Sequence, residues 1–152
     1  MYGYLNGTQH INTVTTGDVM DIDLNKHTIF PLAHIDVREV TFSEYIMSIS
    51  INVKVLDIVD ENKEDARSLS KPHLSEDNRH DILNTMLTVI NGLQSSLRRG
   101  GLYDDNYVLE DDATATVIED QFEHKLTGWN MDLQITVPNN DMGLIESDGS
   151  QC

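Results

Sequence analysis

The sequence predicts an α+β fold, an antiparallel β-sheet with one long α-helix packed on one face. Three observations predict it. Residues 45–55 and 129–137 alternate apolar and polar side chains, the period of a strand with one buried face. Residues 82–97 instead place Ile82, Leu83, Met86, Leu87, Ile90, Leu93 and Leu97 at three-and-four spacing, the period of an amphipathic helix. The order of the segments, strand, hairpin, helix, hairpin, sets a single helix against several strands.

Residues 1–9 read as a short helix or an arm, weakened as a helix by Gly3 and Gly7. His10 to Thr16 is alternating and β-branched, hence a strand, ending at Gly17-Asp18. A polar connection follows, with Val19, Ile22 and Leu24. Residues 29–42 form a strand entered at Pro31, with Ala33, Ile35 and Val37 on one face and then Val40 and Phe42. The phase slips by one at Arg38-Glu39. An uncorrected slip would turn every later side chain to the wrong face, so a bulge or bend is predicted there.

A turn at Ser43-Glu44 leads to the second strand of a hairpin. Met47, Ile49, Ile51, Val53 and Val55 share its apolar face, and Ser48, Ser50, Asn52 and Lys54 its polar face. The phase changes again at Leu56-Asp57-Ile58, where the strand is expected to bend or leave the sheet. Residues 60–76 are charged and aperiodic, a long loop that is either functional or disordered.

The helix is expected from Ser75 as N-cap, with Glu76 and Asp77 in its first turn, Arg98 and Arg99 in its last, and Gly100 as its stop. Leu83, Met86, Leu87, Ile90 and Leu93 are expected to pack against Ile49, Ile51, Val53, Trp129, Met131, Leu133 and Ile135. Residues 101–113 form an acidic loop containing Tyr103 and Tyr107. Residues 113–124 read as a strand interrupted at Glu119-Asp120, and a turn near Thr127-Gly128 leads to the last strand. That strand closes on Pro138, and the segment 138–152 reads as a polar tail.

The chain of 152 residues suits a single domain, 1–152, that buries roughly 70% of its unfolded surface. Asp and Glu total 26 against 10 Lys and Arg, a net charge of −16. Such a surface repels phosphates, which disfavours nucleic-acid clamps and anionic membranes. No stretch approaches the ~20 apolar residues of a membrane span. Residues 1–6 do not read as a secretory signal. The single cysteine, Cys152, permits no internal disulfide, and a cytosolic folding compartment is the default.

The residues that could carry chemistry are scattered along the chain. The six histidines show no metal-ligand spacing on a helix. His34 lies opposite the apolar face of its strand and is expected at a solvated surface. The acid clusters Asp18, Asp21, Asp23 and Asp104, Asp105, Glu110, Asp111, Asp112 could offer oxygens to a cation, yet neither follows the EF-hand pattern. No activated nucleophile or phosphate-binding glycine loop is present. No enzymatic activity and no cofactor or metal are expected.

The phrases TVTTGDVMDIDLNKHTIFPLAHIDV, SINVKVLDIVDE, DILNTMLTVINGLQSSLRRGGLYDDNYVL and FEHKLTGWNMDLQITVPNN span roughly residues 13–140. In them the chain resembles a family of virion proteins from the neck of crAss-like tailed phages. Its element order is also similar to that of tail-terminator and tail-completion proteins, giving a tail-terminator-like topology. The resemblance implies a structural ring subunit of the head–tail connection, made in the host bacterial cytoplasm and resident in the virion. Its implied partners are copies of itself in a closed ring, six- or twelve-fold, and other neck, portal or tail proteins. DNA passes through as non-specific transit, and no membrane is involved. A short or missing N-terminal helix departs from the terminator pattern.

Within that reading, Leu69, Leu74, Tyr103 and Tyr107 are the candidate assembly contacts, apolar anchors in otherwise aperiodic loops. Asp104, Asp105 and Asp132 are the candidate channel-facing acids, because an acidic wall repels the duplex it must let pass. The alternative is a small metal- or ligand-binding domain using the acidic loops.

Overall fold

A computed structural model describes residues 1–18, 29–59, 78–119 and 126–139. The fold is α+β, a six-stranded sheet with one long helix packed against it. The elements in chain order are α1 (Tyr2–Asn6), β1 (Thr13–Thr16), β2 (Leu32–Phe42), β3 (Ile46–Ile58), α2 (Arg79–Arg99), α3 (Gly101–Asp104), β4 (Val108–Leu109), β5 (Thr114–Glu119) and β6 (Leu126–Pro138). The strand order is β1-β2-β3-β6-β4, with β5 also paired to β6.

β3 and β6 form the spine. They pair antiparallel without a break from Ile46↔Pro138 to Ile58↔Leu126. The turn expected at Thr127-Gly128 is therefore strand instead. Gly128 is required there by space: a β-carbon on it would lie 2.8 Å from the Val55 carbonyl carbon and 3.0 Å from the Leu56 α-carbon. The composition cue of a turn glycine was in fact the cue of a close strand crossing.

β2 pairs antiparallel with β3, and its register shifts between Val37 and Glu39. Arg38 is the extra residue. The predicted bulge thus restores the phase, so that Val37, Val40 and Phe42 face the same side as Ile51, Ile49 and Met47. β1 departs from the predicted antiparallel sheet by pairing parallel to β2, Thr13↔Leu32 to Thr16↔Ile35. β4 and β5 run along the outer edge of β6 as one strand interrupted by a step in register between Leu109 and Thr114.

The core lies between the sheet and α2. Ala33, Ile35, Ile51, Val53, Val55, Met131, Leu133 and Ile135 meet Ile82, Met86, Val89, Ile90, Leu93 and Leu97. Leu5 on α1 and Leu102 on α3 join the same core. The expected pairing of helix and sheet holds for Met86, Ile90 and Leu93. It fails for Leu87, which is 44% exposed. Val89 takes the place given to it. Leu87 sits on the margin of the apolar stripe, away from the part that faces the sheet. Leu83 is half-buried, and its carbonyl accepts from the Trp129 Nε1 at 2.9 Å.

The described helix begins at Arg79, and Asn78 provides no side-chain cap; Ser75, Glu76 and Asp77 lie outside the described residues. Instead, Asn78 Nδ2 donates to the Ile58 carbonyl at 3.3 Å, and Arg79 pairs with Glu119 at 2.6 Å. Both contacts fasten the start of α2 to one end of the sheet. The helix does stop at Gly100, in extended geometry. A β-carbon there would lie 2.8 Å from the Ser96 α-carbon, while Ser96 Oγ accepts from the Leu102 amide.

At Leu56–Ile58 the strand neither bends nor leaves the sheet. It continues in register while Leu56 turns to the face opposite α2. There Phe30, Leu32, Leu56, Ile118 and Leu126 build a second, smaller core. The apparent phase slip is a strand buried on both faces at one end.

Candidate assembly surfaces

On the face opposite α2, paired residues stack into rows across the strands. Next to the small apolar core lies the row Thr15–His34–Lys54–Asn130–Thr116, and beyond it Asp36–Asn52–Asp132–Thr114. His34 was expected in solvent and is fully buried. β1 runs alongside it and Lys54 stands opposite, so strand parity pointed it at the right face while neighbours closed over it. Its Nδ1 lies 2.9 Å from Thr15 Oγ1, and its Nε2 has no hydrogen-bond partner among the described residues. Burial holds the His34 pKa below its ordinary value and Lys54 lowers it further, while the Gly17 backbone, Asp36 and Asp18 act in the opposite direction.

Asn52 is fully buried and fully used. Its amide donates to Asn130 Oδ1 at 2.7 Å and to Asp132 Oδ1 at 2.8 Å, and its carbonyl accepts from Lys54. Asp132 also accepts from Arg38 at 3.0 Å. Burial is the first reason the Lys54 pKa falls below its usual value, with Arg38 adding to it and Asp36 and Asp132 opposing. Two cations and two carboxylates thus share this patch, which is close to neutral. Two rows further out, Ser48 donates to Glu110 at 2.8 Å and accepts from Gln134 of the row between.

The other candidate residues lie elsewhere. Tyr103, Asp104, Asp105 and Tyr107 come together in and just after α3, all exposed, on a segment anchored to the helix-side core through Leu102. Asp132 is across the sheet from them. The three candidate channel acids are not one surface. Leu69 and Leu74 lie outside the described residues. Among the described residues no group of His, Cys, Asp or Glu is placed to hold a metal ion. Two of the loop acids are already engaged, Glu110 with Ser48 and Asp112 with Arg98 at 2.7 Å.

Among the described residues one exposed apolar surface is marked by no sequence pattern. It is the β2–β3 hairpin, where Val37, Val40, Phe42, Tyr45 and Ile46 are exposed, Phe42 at 71% and Tyr45 at 73%. The alternation predicts a buried face, but α2 does not extend over this end. The cue was the unequal length of the parts: β2 and β3 outrun the helix stripe. The tip is held in place. Ser43 N donates to the Ile46 carbonyl at 2.9 Å, while Asn139 donates through its backbone to Tyr45 and through Nδ2 to Ser43, each at 2.8 Å.

A groove of about 300 Å³ lies on the helix side near the opposite edge. Leu87, Ile90, Asn91 and Gln94 form its helical wall, Ala113 and Ala115 its strand wall, Met131 lines it too, and Arg98 with Asp112 mark its polar end. A second, more polar cavity lies between α2 and the 9–12 segment.

No protein-family model matches the chain, and no curated protein matches it. Among the described residues no helix is long and apolar enough to cross a membrane.

Proposed function

We propose that the chain is a structural ring subunit of the head–tail connection of a tailed phage, joining portal and tail around a channel for DNA. The observation that carries the reading is the rigid, apolar β2–β3 hairpin. Phe42 and Tyr45 stand in water on a turn fixed by three hydrogen bonds. A chain carrying a net charge of −16 gains nothing in solubility from such a tip, and exposed apolar patches of this kind mark interaction sites. The sheet also has an outer edge on each side, β2 beyond Ile35 and β5, with no further strand paired among the described residues. The virion-protein resemblance supplies the setting for such a subunit.

Among the channel-facing candidates, Asp104 and Asp105 suit the role better than Asp132, whose charge is offset by Arg38. Tyr103 and Tyr107 beside them remain candidate contacts to a neighbouring subunit or ring. Light scattering on the eluting peak of a gel-filtration column tests the reading. It predicts a mass of several subunits that does not fall on dilution with salt. A single-subunit mass at every concentration overturns it.

A further inference from the structure

We propose that the β2–β3 hairpin tip of one copy docks in the groove between α2 and β5 of a second copy. The inference rests on the self-assembly reading above and names its contact. The tip is apolar, the groove offers Leu87, Ile90, Ala113, Ala115 and Met131 beside its polar residues, and both are accessible and preformed. Phe42 and Tyr45 are held on a fixed turn, so little conformational freedom is lost when they are buried. The groove exists because Ala113 and Ala115 are small and α2 packs over β6, leaving Leu87 exposed along one wall.

A copy cannot fill its own groove. The hairpin rises from β2 and β3, whereas β5 is on the far side of β6, roughly 14 Å from β2 at ~4.8 Å per strand. Two different surfaces on opposite sides of one chain give a head-to-tail contact, which closes into a ring or runs on as a filament.

Charge permits the same pairing. Copies that each carry −16 repel, so a stable contact must set acids against the few bases. The polar end of the groove presents Arg98, with exposed Arg99 next to it, and the hairpin carries exposed Glu39 and Glu44. The Asp112 side chain paired with Arg98 is 99% exposed, so its exchange for a partner's carboxylate costs little. Phe42 and Tyr45 offer roughly 100–180 Å² each, and Val37 and Val40 extend the patch on the Phe42 face.

The test uses two variants of the full chain. F42D/Y45D spoils the tip and leaves the groove intact; L87E spoils the groove and leaves the tip intact. All three positions are exposed, so each variant should melt like the parent, and A115F provides a second groove variant should L87E not. Each variant alone should associate about a hundredfold more weakly than the parent, because aromatic anchors dominate interfaces. Mixing them should restore one good contact per pair, giving a one-to-one dimer that grows no further. If either variant assembles like the parent, or the mixture stays monomeric, this contact is wrong while assembly stands. If the parent itself is monomeric at all concentrations, the assembly reading falls and this contact with it.

Discussion

Asn52, fully buried in β3, donates its amide to Asp132 of β6 at 2.8 Å, directly across the strand pair. A buried amide in a sheet is costly unless every hydrogen-bonding group is satisfied, and here Asn130 and Lys54 complete the set. A slip of one residue would turn these side chains into the helix-side core, so the cluster favours one register.

Asn52→Ala should therefore destabilise the chain by about 1–3 kcal/mol, since it strands Lys54 and the two acceptors. Arg38→Ala removes only the outer, exposed partner of Asp132 and should cost no more than about 1 kcal/mol. Urea unfolding of both variants checks the ranking. Equal losses would show that Asn52 is not the centre of the cluster.

The helix offers a paired comparison. Leu93 is fully buried and Leu87 is 44% exposed. Leu93→Ala should cost ~2–5 kcal/mol, whereas Leu87→Ala should cost less than about 1 kcal/mol. A large loss at Leu87 would mean that the groove wall is core in solution.

Gly128→Ala should be among the most damaging small substitutions. The added methyl group meets the Val55 carbonyl of the neighbouring strand, which can yield only if the β3–β6 pairing opens. A cost of ~3 kcal/mol or more is expected. A melting temperature unchanged from the parent would rule out the close crossing.

His34 makes stability depend on pH. Its folded pKa is depressed by burial and by Lys54, so the unfolded chain takes up a proton more readily. Stability is then full above the ordinary imidazole value of about 6.5 and is lost as pH falls from there toward the lowered value. Thermal melts of the parent and His34→Gln across that interval check this. The parent should lose stability more steeply on acidification, and parallel curves would count against it.

Much of the fold was legible because periodicity reports burial. Alternation placed Met131, Leu133 and Ile135 on the core face, three-and-four spacing placed Met86, Ile90 and Leu93 opposite them, and the slipped phase at Arg38-Glu39 marked a real bulge. Periodicity does not report how far the covering layer reaches. That is why Leu87, expected in the core, is exposed, and why the second core under Leu56 has the sequence pattern of a broken strand. Nor does it report which strand lies beside another, which decided the parallel pairing of β1 and the burial of His34. The candidate site was less legible still. Tyr103, Tyr107, Asp104 and Asp105 are exposed, but the segment expected as a loop over 101–113 contains α3 and β4, and Tyr103 and Asp104 lie in α3. The hairpin tip and its groove depend on two edges of one sheet, and no local pattern records that.

The ring itself is the central claim, and electron micrographs of the purified full-length chain test it most directly. Annular particles with an open centre, six- or twelve-fold in projection, are expected, and they should disappear in F42D/Y45D. Fields of single subunits, or compact particles without a central opening, would contradict it.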